Sequence, residues 1–558
     1  MPLVPIALAA LALTAACAVA RRIGRGGATR WLDAGVAWTA LLVLPPYALG
    51  WAGLFSAPAV GGASFAISTS SLLLATRARP TALSEALRDL GRAVLSPVAL
   101  MRAAFERRAW LALVALAIAS FVWLWTALLA WLVPSSGWDG IWYHDTIVGF
   151  TIQNRGFAEV PLPQEHEVVN GYPRLVETIA AFFVVLSDDR FLDIAPTLAW
   201  PCVAVAFAAL AESITGWWNG RVAMACALVL VPGLALQLRS SYVDVAPTFF
   251  TLAAIAYVTK PRLRAADLWL AGLACGMLLA SKGTGLVQVP VIGLVALARG
   301  LRPSRPRLLA GLAGAALLIV AIGAPTYVRN WALHANPMWP ITHEVESLGL
   351  RFEGPVATTI RAPGLMEWLK GAYGEPRWEE YHHDVRHDGY GHAFPLLLPV
   401  IAIASLVQWL WGETRPKRGA GPWIFLIGAG IALVTPPIWW ARFGGAVLGC
   451  AAALALSWLA HRPRIGALAI AFVLAVHGYT LARARPGWHA SLNDARTLLR
   501  RPAAERASFP VGPVFGDEDA LRAFERGVGP DDVVAWSRPM GFPSFAWNRH
   551  MSNRSVYL

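Results

Sequence analysis

The sequence predicts an all-α protein that crosses a membrane many times, and both its composition and its apolar runs lead to this prediction. Of the 558 residues, 56% are hydrophobic and only 15% are charged. Uncharged runs such as residues 109–133 are long enough to cross about 30 Å of hydrocarbon. Soluble domains do not sustain so many runs of this kind. We therefore expect a polytopic bundle of transmembrane helices.

About fourteen apolar runs are candidate spans. They are residues 2–20, 34–55, 58–75, 109–133, 191–214, 222–238, 245–258, 266–280, 285–298, 308–328, 393–411, 423–440, 444–459 and 465–481. The run at 172–186 is short for a full crossing. The charge pattern of the neighbouring loops requires it to be re-entrant or interfacial.

Basic loops set the predicted orientation, because cytoplasmic loops are enriched in Lys and Arg. The clusters expected on the cytoplasmic side are residues 260–264, 302–307, 415–418 and 461–464. This orientation divides the chain into three parts. They are N-terminal accessory spans with a cytoplasmic amphipathic segment (1–108), a transmembrane core with outer loops 134–190 and 329–392 (109–482), and a small extracytoplasmic C-terminal segment (483–558).

The net charge and the cysteines exclude two other interpretations. A formal net charge of +13 in a soluble chain would suggest a nucleic-acid partner. Here most basic residues lie in short loops between apolar runs, so we expect no nucleic acid. The five cysteines all lie inside apolar runs without metal-type spacing. We expect neither a disulfide framework nor thiolate chemistry.

Polar residues follow the first core span directly. This loop contains Asp139 and Asp145, and also Tyr143 and His144, which are candidate substrate-binding residues. Charges at the edge of a membrane are costly and therefore point to a function. Asp139 or Asp145 is a candidate base that accepts a proton. The alternatives are that Asp139 caps a helix and that Asp145 pairs with Arg155.

Further polar residues lie at the predicted outer ends of other spans. These candidate substrate-binding residues are Tyr172, Asp244, Lys282, Arg329, Asn330 and Arg442. Lys282, Arg329 and Arg442 could hold a phosphate group, because positive charge stabilises it. In the polar insertion WEEYHHDVRHDGYGH, His383 and His387 are four residues apart and could share a helix face to bind a divalent metal. The alternatives are a solvated loop and a mobile lid.

Several motifs resemble one known family. They are W-D-x-x-x-Y-H from Trp138, N-x-Y-P from Asn170, S-S-Y-V-D from Ser240, L-A-S-K-G-T-G-L from Leu279 and R-N-x-x-x-x-x-N-P-x-x-P from Arg329, with weaker matches at Gly389 and Ala441. The ordered set resembles the GT-C superfamily of polyprenyl-phosphate-sugar-dependent membrane glycosyltransferases. It spans residues 110–481 and says little about the sugar.

The resemblance implies a GT-C-like bundle and an inverting transferase in a bacterial-type inner or cell membrane, with an extracytoplasmic active site. The donor would be a polyprenyl-phosphate-linked hexose or pentose, and the acceptor a glycan, a lipid or a protein. Relatives such as protein O-mannosyltransferases and the aminoarabinose transferase of lipid A carry an acidic pair in the first outer loop. Asp139 matches its first member and takes the catalytic role, whereas Gly140 stands at the second, so Asp145 is a possible substitute.

The same resemblance assigns Asp244 to a second acidic position, near the acceptor or a metal, and Lys282 to the lipid phosphate. A transporter or flippase for lipid-linked glycans is an alternative, although transporters usually have repeat symmetry with broken helices at the midplane. The charged residues predicted near one face favour an enzyme. A relative that binds the lipid without turnover is a third possibility, because Gly140 interrupts the acidic pair.

Overall fold

The structure is a computed structural model that describes residues 2–77, 81–133, 135, 137–301, 306–345, 349–357, 419–435, 441–483, 492–500, 527–537 and 543–558. Within these ranges, eight helices are long and apolar enough to cross a membrane, or ten if each of two bent helix pairs is one span. The protein is therefore an integral membrane protein. Four shorter apolar helices accompany them. The number of about fourteen spans stays a prediction, and the run at 393–411 lies outside the described residues.

Five helices form the N-terminal part. They are α1 (Leu3–Ile23), α2 (Gly27–Trp51), α3 (Ala57–Thr76), α4 (Ala82–Val94) and α5 (Ser96–Glu106). The predicted amphipathic segment is thus two short helices, and α4 packs against α1. Asp89 on α4 is buried and pairs with Arg21 at the end of α1, while Glu85 binds the same guanidinium at 2.6 Å. These ion pairs fix α4 beside the accessory spans.

The core runs through twelve more helices. They are α6 (Trp110–Leu132), α7 (Asp145–Gln153), α8 (Val168–Gly171), α9 (Leu175–Val185), α10 (Ile194–Glu212), α11 (Trp218–Val229), α12 (Pro232–Ala235), α13 (Val245–Val258), α14 (Ala265–Ser281), α15 (Gly285–Gly300), α16 (Pro306–Gly323) and α17 (Pro325–His334). Every residue of α13 is buried, between α10 and α14. On α14, a Cβ at Gly272 would lie 2.4 Å from the Cα of Ala315, so a small residue there lets α16 approach closely.

Two helix pairs bend sharply. Gln164–Gly171 and Leu175–Val185 meet at 86°, as a broken span or a re-entrant loop, where the sequence predicts that 172–186 is not a full crossing. Trp218–Val229 and Pro232–Arg239 meet at 64°, where the sequence predicts one run. Pro232 begins the second member of that pair, and a proline has no N–H to continue the preceding helix.

The rest of the described chain combines helices with two small sheets. The helices are Gly421–Val434, Ala441–Leu459, Pro463–Arg483 and Leu492–Arg500, and the strands are β1 (Ile341–Val345), β2 (Leu350–Phe352), β3 (Val356–Ala357), β4 (Val533–Trp536) and β5 (Arg554–Tyr557). In the first sheet β1 lies between β2, which is antiparallel, and β3, which is parallel. In the second, β4 and β5 are parallel. The tail after Pro543 contains a short helical turn, Pro543–Ala546, and strand β5.

The helices α13 and α14 separate two charged clusters. Asp244 precedes α13 and Lys282 follows α14, so both lie at one end of this antiparallel pair. At the opposite end, Lys260 binds Asp267 at 2.9 Å, and Arg25 binds Asp267 at 2.7 Å. The predicted cytoplasmic cluster at 260–264 and the candidate site therefore lie at opposite ends of the same helices.

Candidate active site

Asp139 lies in the turn between α6 and α7. A short π-helical turn, Gly140–His144, follows it and leads into α7. The backbone N–H of Asp139 donates a hydrogen bond to the hydroxyl of Tyr242 at 3.1 Å. Its carboxylate accepts a hydrogen bond from Arg442 Nη1 at 2.8 Å. The side chain of Asp139 therefore pairs with a distant arginine and does not cap the helix that follows.

A second acid and a second base continue this ion pair. Arg442 Nε lies 3.9 Å from Asp244 Oδ2, and Lys282 Nζ pairs with the other oxygen of Asp244. The four side chains form a chain, Asp139–Arg442–Asp244–Lys282, which we call the charge cluster. Asp139 and Arg442 are each 9% exposed and Asp244 is 3% exposed. The cluster thus contains two carboxylates and two cations in a largely buried setting.

Aromatic rings enclose the two cations. Lys282 Nζ lies 3.9 Å from the ring centre of Phe443. The guanidinium of Arg442 lies 4.9 Å from the same ring and 5.2 Å from the ring of Tyr242. Tyr143 and Tyr172 meet edge to face at 5.4 Å in the same region. Rings of this kind stabilise desolvated cations and keep their side chains in place.

The charges of the cluster decide the protonation state of Asp139. Burial opposes its ionisation, but the neighbouring Arg442 guanidinium outweighs that effect and holds the pKa of Asp139 below its usual value. His144 and Lys282 lower this pKa further. While Arg442 is bound to it, Asp139 is therefore an ionised carboxylate and a weak base.

The structure explains why a glycine stands at position 140. A Cβ at this position would lie 2.6 Å from the hydroxyl oxygen of Ser241, so a longer side chain would require Ser241 to move. Asp244, three residues after Ser241, supplies the second carboxylate next to the arginine of Asp139.

Asp145 lies outside the charge cluster. It begins α7, is 2% exposed, and is near the hydroxyls of Ser241 and Ser135. Burial raises the pKa of Asp145 to about 6. The sequence offered an ion pair between Asp145 and Arg155 as the alternative. The structure describes both residues, and they do not form this ion pair. Whether Asp145 takes part in catalysis stays a prediction.

His144 has a buried acidic partner. Its Nδ1 lies 2.7 Å from Glu177 Oε1 on α9, and both side chains are almost fully buried. Its ring is 4.1 Å from that of Tyr143 and 6.1 Å from that of Tyr242. Glu177 thereby fixes the orientation of the imidazole beside the charge cluster. Contact of His144 with a substrate stays a prediction.

Arg329 and Asn330 bind backbone carbonyl groups. Arg329 donates to the carbonyl of Asn170, and Asn330 Nδ2 donates to the carbonyls of Gly171 at 2.8 Å and Trp339 at 3.2 Å. Asn330 Oδ1 accepts from Arg329 Nη2 at 2.8 Å. These bonds join the loop that carries Tyr172 to the loop that ends α17. These contacts all lie outside the charge cluster, and the role of Arg329 and Asn330 in substrate binding stays a prediction.

A divalent metal stays a prediction as well. His383 and His387 lie outside the described residues. Within the described part of the chain, no group of three or more His, Cys, Asp or Glu side chains could hold a metal ion. The carboxylates of Asp139 and Asp244 already face Arg442 and Lys282. This donor set, two carboxylates each bound to a cation, does not fit a divalent ion.

Three residues at the site were not singled out from the sequence. They are Glu177, Tyr242 and Phe443. Tyr242 lies inside the S-S-Y-V-D motif, and Phe443 lies inside the weaker match that begins at Ala441 with the sequence A-R-F. Each position of these motifs was therefore a candidate. Glu177 stands in an apolar helix, where an isolated acid is a costly residue that signals a partner.

Comparison with known proteins gives one distant likeness. No family model and no curated protein sequence matches the chain. The structure is similar to the crystal structure of ArnT from Cupriavidus metallidurans in the apo state, with 12% identity, a TM-score of 0.49, and coverage of 81% of this chain and 86% of that one. It is also similar to ArnT from the same organism bound to undecaprenyl phosphate, with 13% identity, a TM-score of 0.43, and coverage of 80% and 85%. At these values the likeness concerns the general arrangement of the helices.

Proposed function

We propose that this protein transfers a sugar from a polyprenyl-phosphate-linked donor to the hydroxyl of an extracytoplasmic acceptor. The charge cluster is the observation that carries this proposal. It brings a carboxylate that can accept a proton within hydrogen-bonding distance of a cation that can hold a phosphate. Its members come from four different parts of the chain, each near the end of an apolar helix.

Asp139 acts as the base in this proposal. It takes the proton of the acceptor hydroxyl, and the electron pair of that O–H bond forms the new bond to the anomeric carbon. General base catalysis of this kind contributes about 10²–10⁴-fold to a rate. Attack from the face opposite the phosphate inverts the anomeric centre.

Arg442 and Lys282 hold the leaving group. The bond between the anomeric carbon and the phosphate oxygen breaks, and its electron pair leaves with the lipid phosphate. Fixed cations in a largely buried site stabilise the charge that develops on this oxygen more strongly than water does. The aromatic rings around them support the same role, because they keep both cations desolvated and oriented.

The opposite position of the basic cluster at 260–264 supports an extracytoplasmic active site. Cytoplasmic loops are enriched in Lys and Arg. Since Lys260 and Lys282 lie at opposite ends of the α13–α14 pair, a cytoplasmic Lys260 leaves the charge cluster on the outer side. A lipid-linked donor would reach it from the outer leaflet, and the acceptor would be a glycan, a lipid or a protein.

The test is mass spectrometry of cell-envelope glycans and lipid-linked sugars, with and without the gene. Loss of the protein should remove one sugar modification and increase its lipid-linked donor. Asp139→Asn, at wild-type protein level, should reproduce the loss. Glu159→Gln is the matched control, because Glu159 pairs with His334 at 2.8 Å, outside the charge cluster.

The same experiment separates the alternatives. A transporter or flippase would leave the donor on the inner leaflet when the protein is absent, and Asp139→Asn would still restore the sugar modification if translocation needs no base. Wild-type modification by Asp139→Asn rejects Asp139 as the base of a transferase.

A further inference from the structure

Both cations of the site are already engaged. Arg442 binds Asp139 at 2.8 Å and lies 3.9 Å from Asp244, and Lys282 pairs with Asp244. The proposed donor needs the same two cations for its phosphate. Binding of the donor therefore has to change the partners of Asp139 and Asp244.

Resting on the proposed function, we infer that the donor phosphate takes Arg442 and Lys282 away from the two carboxylates, and that this exchange releases Asp139 to act as the base. Arg442 is then the residue that couples the two events. It binds the base while the donor is absent and binds the phosphate when the donor arrives.

The charges of the cluster explain why exchange changes the chemistry. Two carboxylates and two cations balance, so the cluster without donor is close to neutral. A phosphodiester adds one negative charge and competes for the same cations. A buried carboxylate that loses its cation favours the protonated form, because burial then acts without compensation. Asp139 thus becomes a stronger base only when the donor is bound.

Other ionisable groups surround Asp139 and belong to the same balance. The groups that interact electrostatically with Asp139 are Tyr143, His144, Tyr172, Lys282 and Arg442. The groups that contact these partners in turn are Asp244, Glu177 and Tyr242. Of these, only Arg442 bonds directly to the Asp139 carboxylate. Its departure is consequently the largest single change that the donor can produce there.

The exchange imposes an order on the reaction. An acceptor hydroxyl that arrives first meets a carboxylate that is bound to Arg442 and is a weak base. After the donor has taken Arg442, the same carboxylate can accept the hydroxyl proton. Proton removal is thereby restricted to the complex in which the sugar is present to be attacked.

Proton linkage tests this inference without knowledge of the sugar. The probe is undecaprenyl methyl phosphate, a diester with one charge that does not titrate near neutral pH. Its Kd for the purified protein in nanodiscs is measured from pH 4.5 to 8. If binding makes Asp139 more basic, the complex binds more protons, so the wild-type Kd should increase with pH by up to about tenfold per pH unit.

Asp139→Asn should differ in two ways. It removes the competitor for Arg442, so the probe should bind more tightly, by about tenfold, and the part of the pH dependence due to Asp139 should disappear. Asp244→Asn, which removes the competitor for Lys282, should also bind more tightly but keep the part of the pH dependence that is due to Asp139. It also serves if Asp139→Asn does not fold. Glu159→Gln should match the wild type in both respects.

Two results overturn the inference alone: weaker binding of the probe by both Asn variants, or the same pH dependence in wild type and Asp139→Asn. If the wild-type protein does not bind the probe, and if removing the protein from the cell changes no envelope glycan, the proposed function fails and the inference fails with it. If the wild type transfers the sugar but Asp139→Asn shows the same pH dependence of Kd as the wild type, the proposed transferase function stands and the exchange of partners is rejected.

Discussion

Asp145 offers a prediction whose size can be worked from its surroundings. Asp145 is 2% exposed at the start of α7, and the hydroxyls of Ser241 and Ser135 lie close to its carboxyl group. Burial raises the pKa of Asp145 from 3.8 to about 6. At pH 7 the folded protein therefore holds a charge that the buried site disfavours, and Asp145→Asn should stabilise it.

The magnitude follows from linkage. A rise in the pKa from 3.8 to about 6 corresponds to about 3 kcal/mol of stability lost at pH 7 relative to a group that stays neutral. Because the folded pKa lies above the unfolded one, this loss is complete above pH 7. It decreases as the pH falls through 6, and it vanishes below 3.8. The gain from Asp145→Asn should be largest at pH 7.5 and about half as large at pH 5.

The assay is thermal unfolding of the purified protein in detergent at pH 7.5 and pH 5. The matched control is Asp188→Asn, which should have the opposite sign. Burial opposes the ionisation of Asp188, but hydrogen bonds from Arg190 at 2.7 Å and Arg549 at 3.1 Å hold the pKa of Asp188 below its usual value. An Asp145→Asn protein that unfolds at the wild-type temperature at both pH values refutes the reasoning. Transfer by the same variant tests whether Asp145 is a catalytic substitute for the residue missing at 140.

Three other predictions concern the loops and the orientation. Asn330→Ala removes bonds to Gly171, Trp339 and Arg329 that together contribute about 3 kcal/mol. Hydrogen exchange of the 157–172 and 337–345 peptides should accelerate by about 100-fold, and unchanged exchange would contradict the loop-joining role. Gln153 bonds to the N–H of Ser555 at 2.8 Å and its carbonyl at 3.1 Å, so Gln153→Leu should expose the C-terminal strands to limited proteolysis, which wild-type resistance would contradict. All five native cysteines are buried, so they should not react with a membrane-impermeant maleimide. In intact cells Trp138→Cys should react with this reagent and Arg262→Cys should not. The reverse result would place the charge cluster on the cytoplasmic side.

The sequence was sufficient for the membrane class and for the ends of several helices. The run at 109–133 became α6, Trp110–Leu132, and the run at 245–258 became α13 with the same bounds. Hydrophobicity and length act locally, so a window of about 20 residues contains the information that determines a span. The types of residue at the candidate site could be predicted for the same reason, because a charge at the end of an apolar run stands out locally.

Only the tertiary structure decided which of those charges meet. Asp139 and Arg442 are 303 positions apart, and nothing near either residue indicates the other. α14 and the helix Ala441–Leu459 pack against α13, and α6 packs against α10, which itself packs against α13. This packing brings the charges of four helix ends together, whereas Asp145 and Arg329, which looked equivalent in the sequence, bind elsewhere. The partner of a charge depends on distance and burial, and both are set by helices that are remote in sequence.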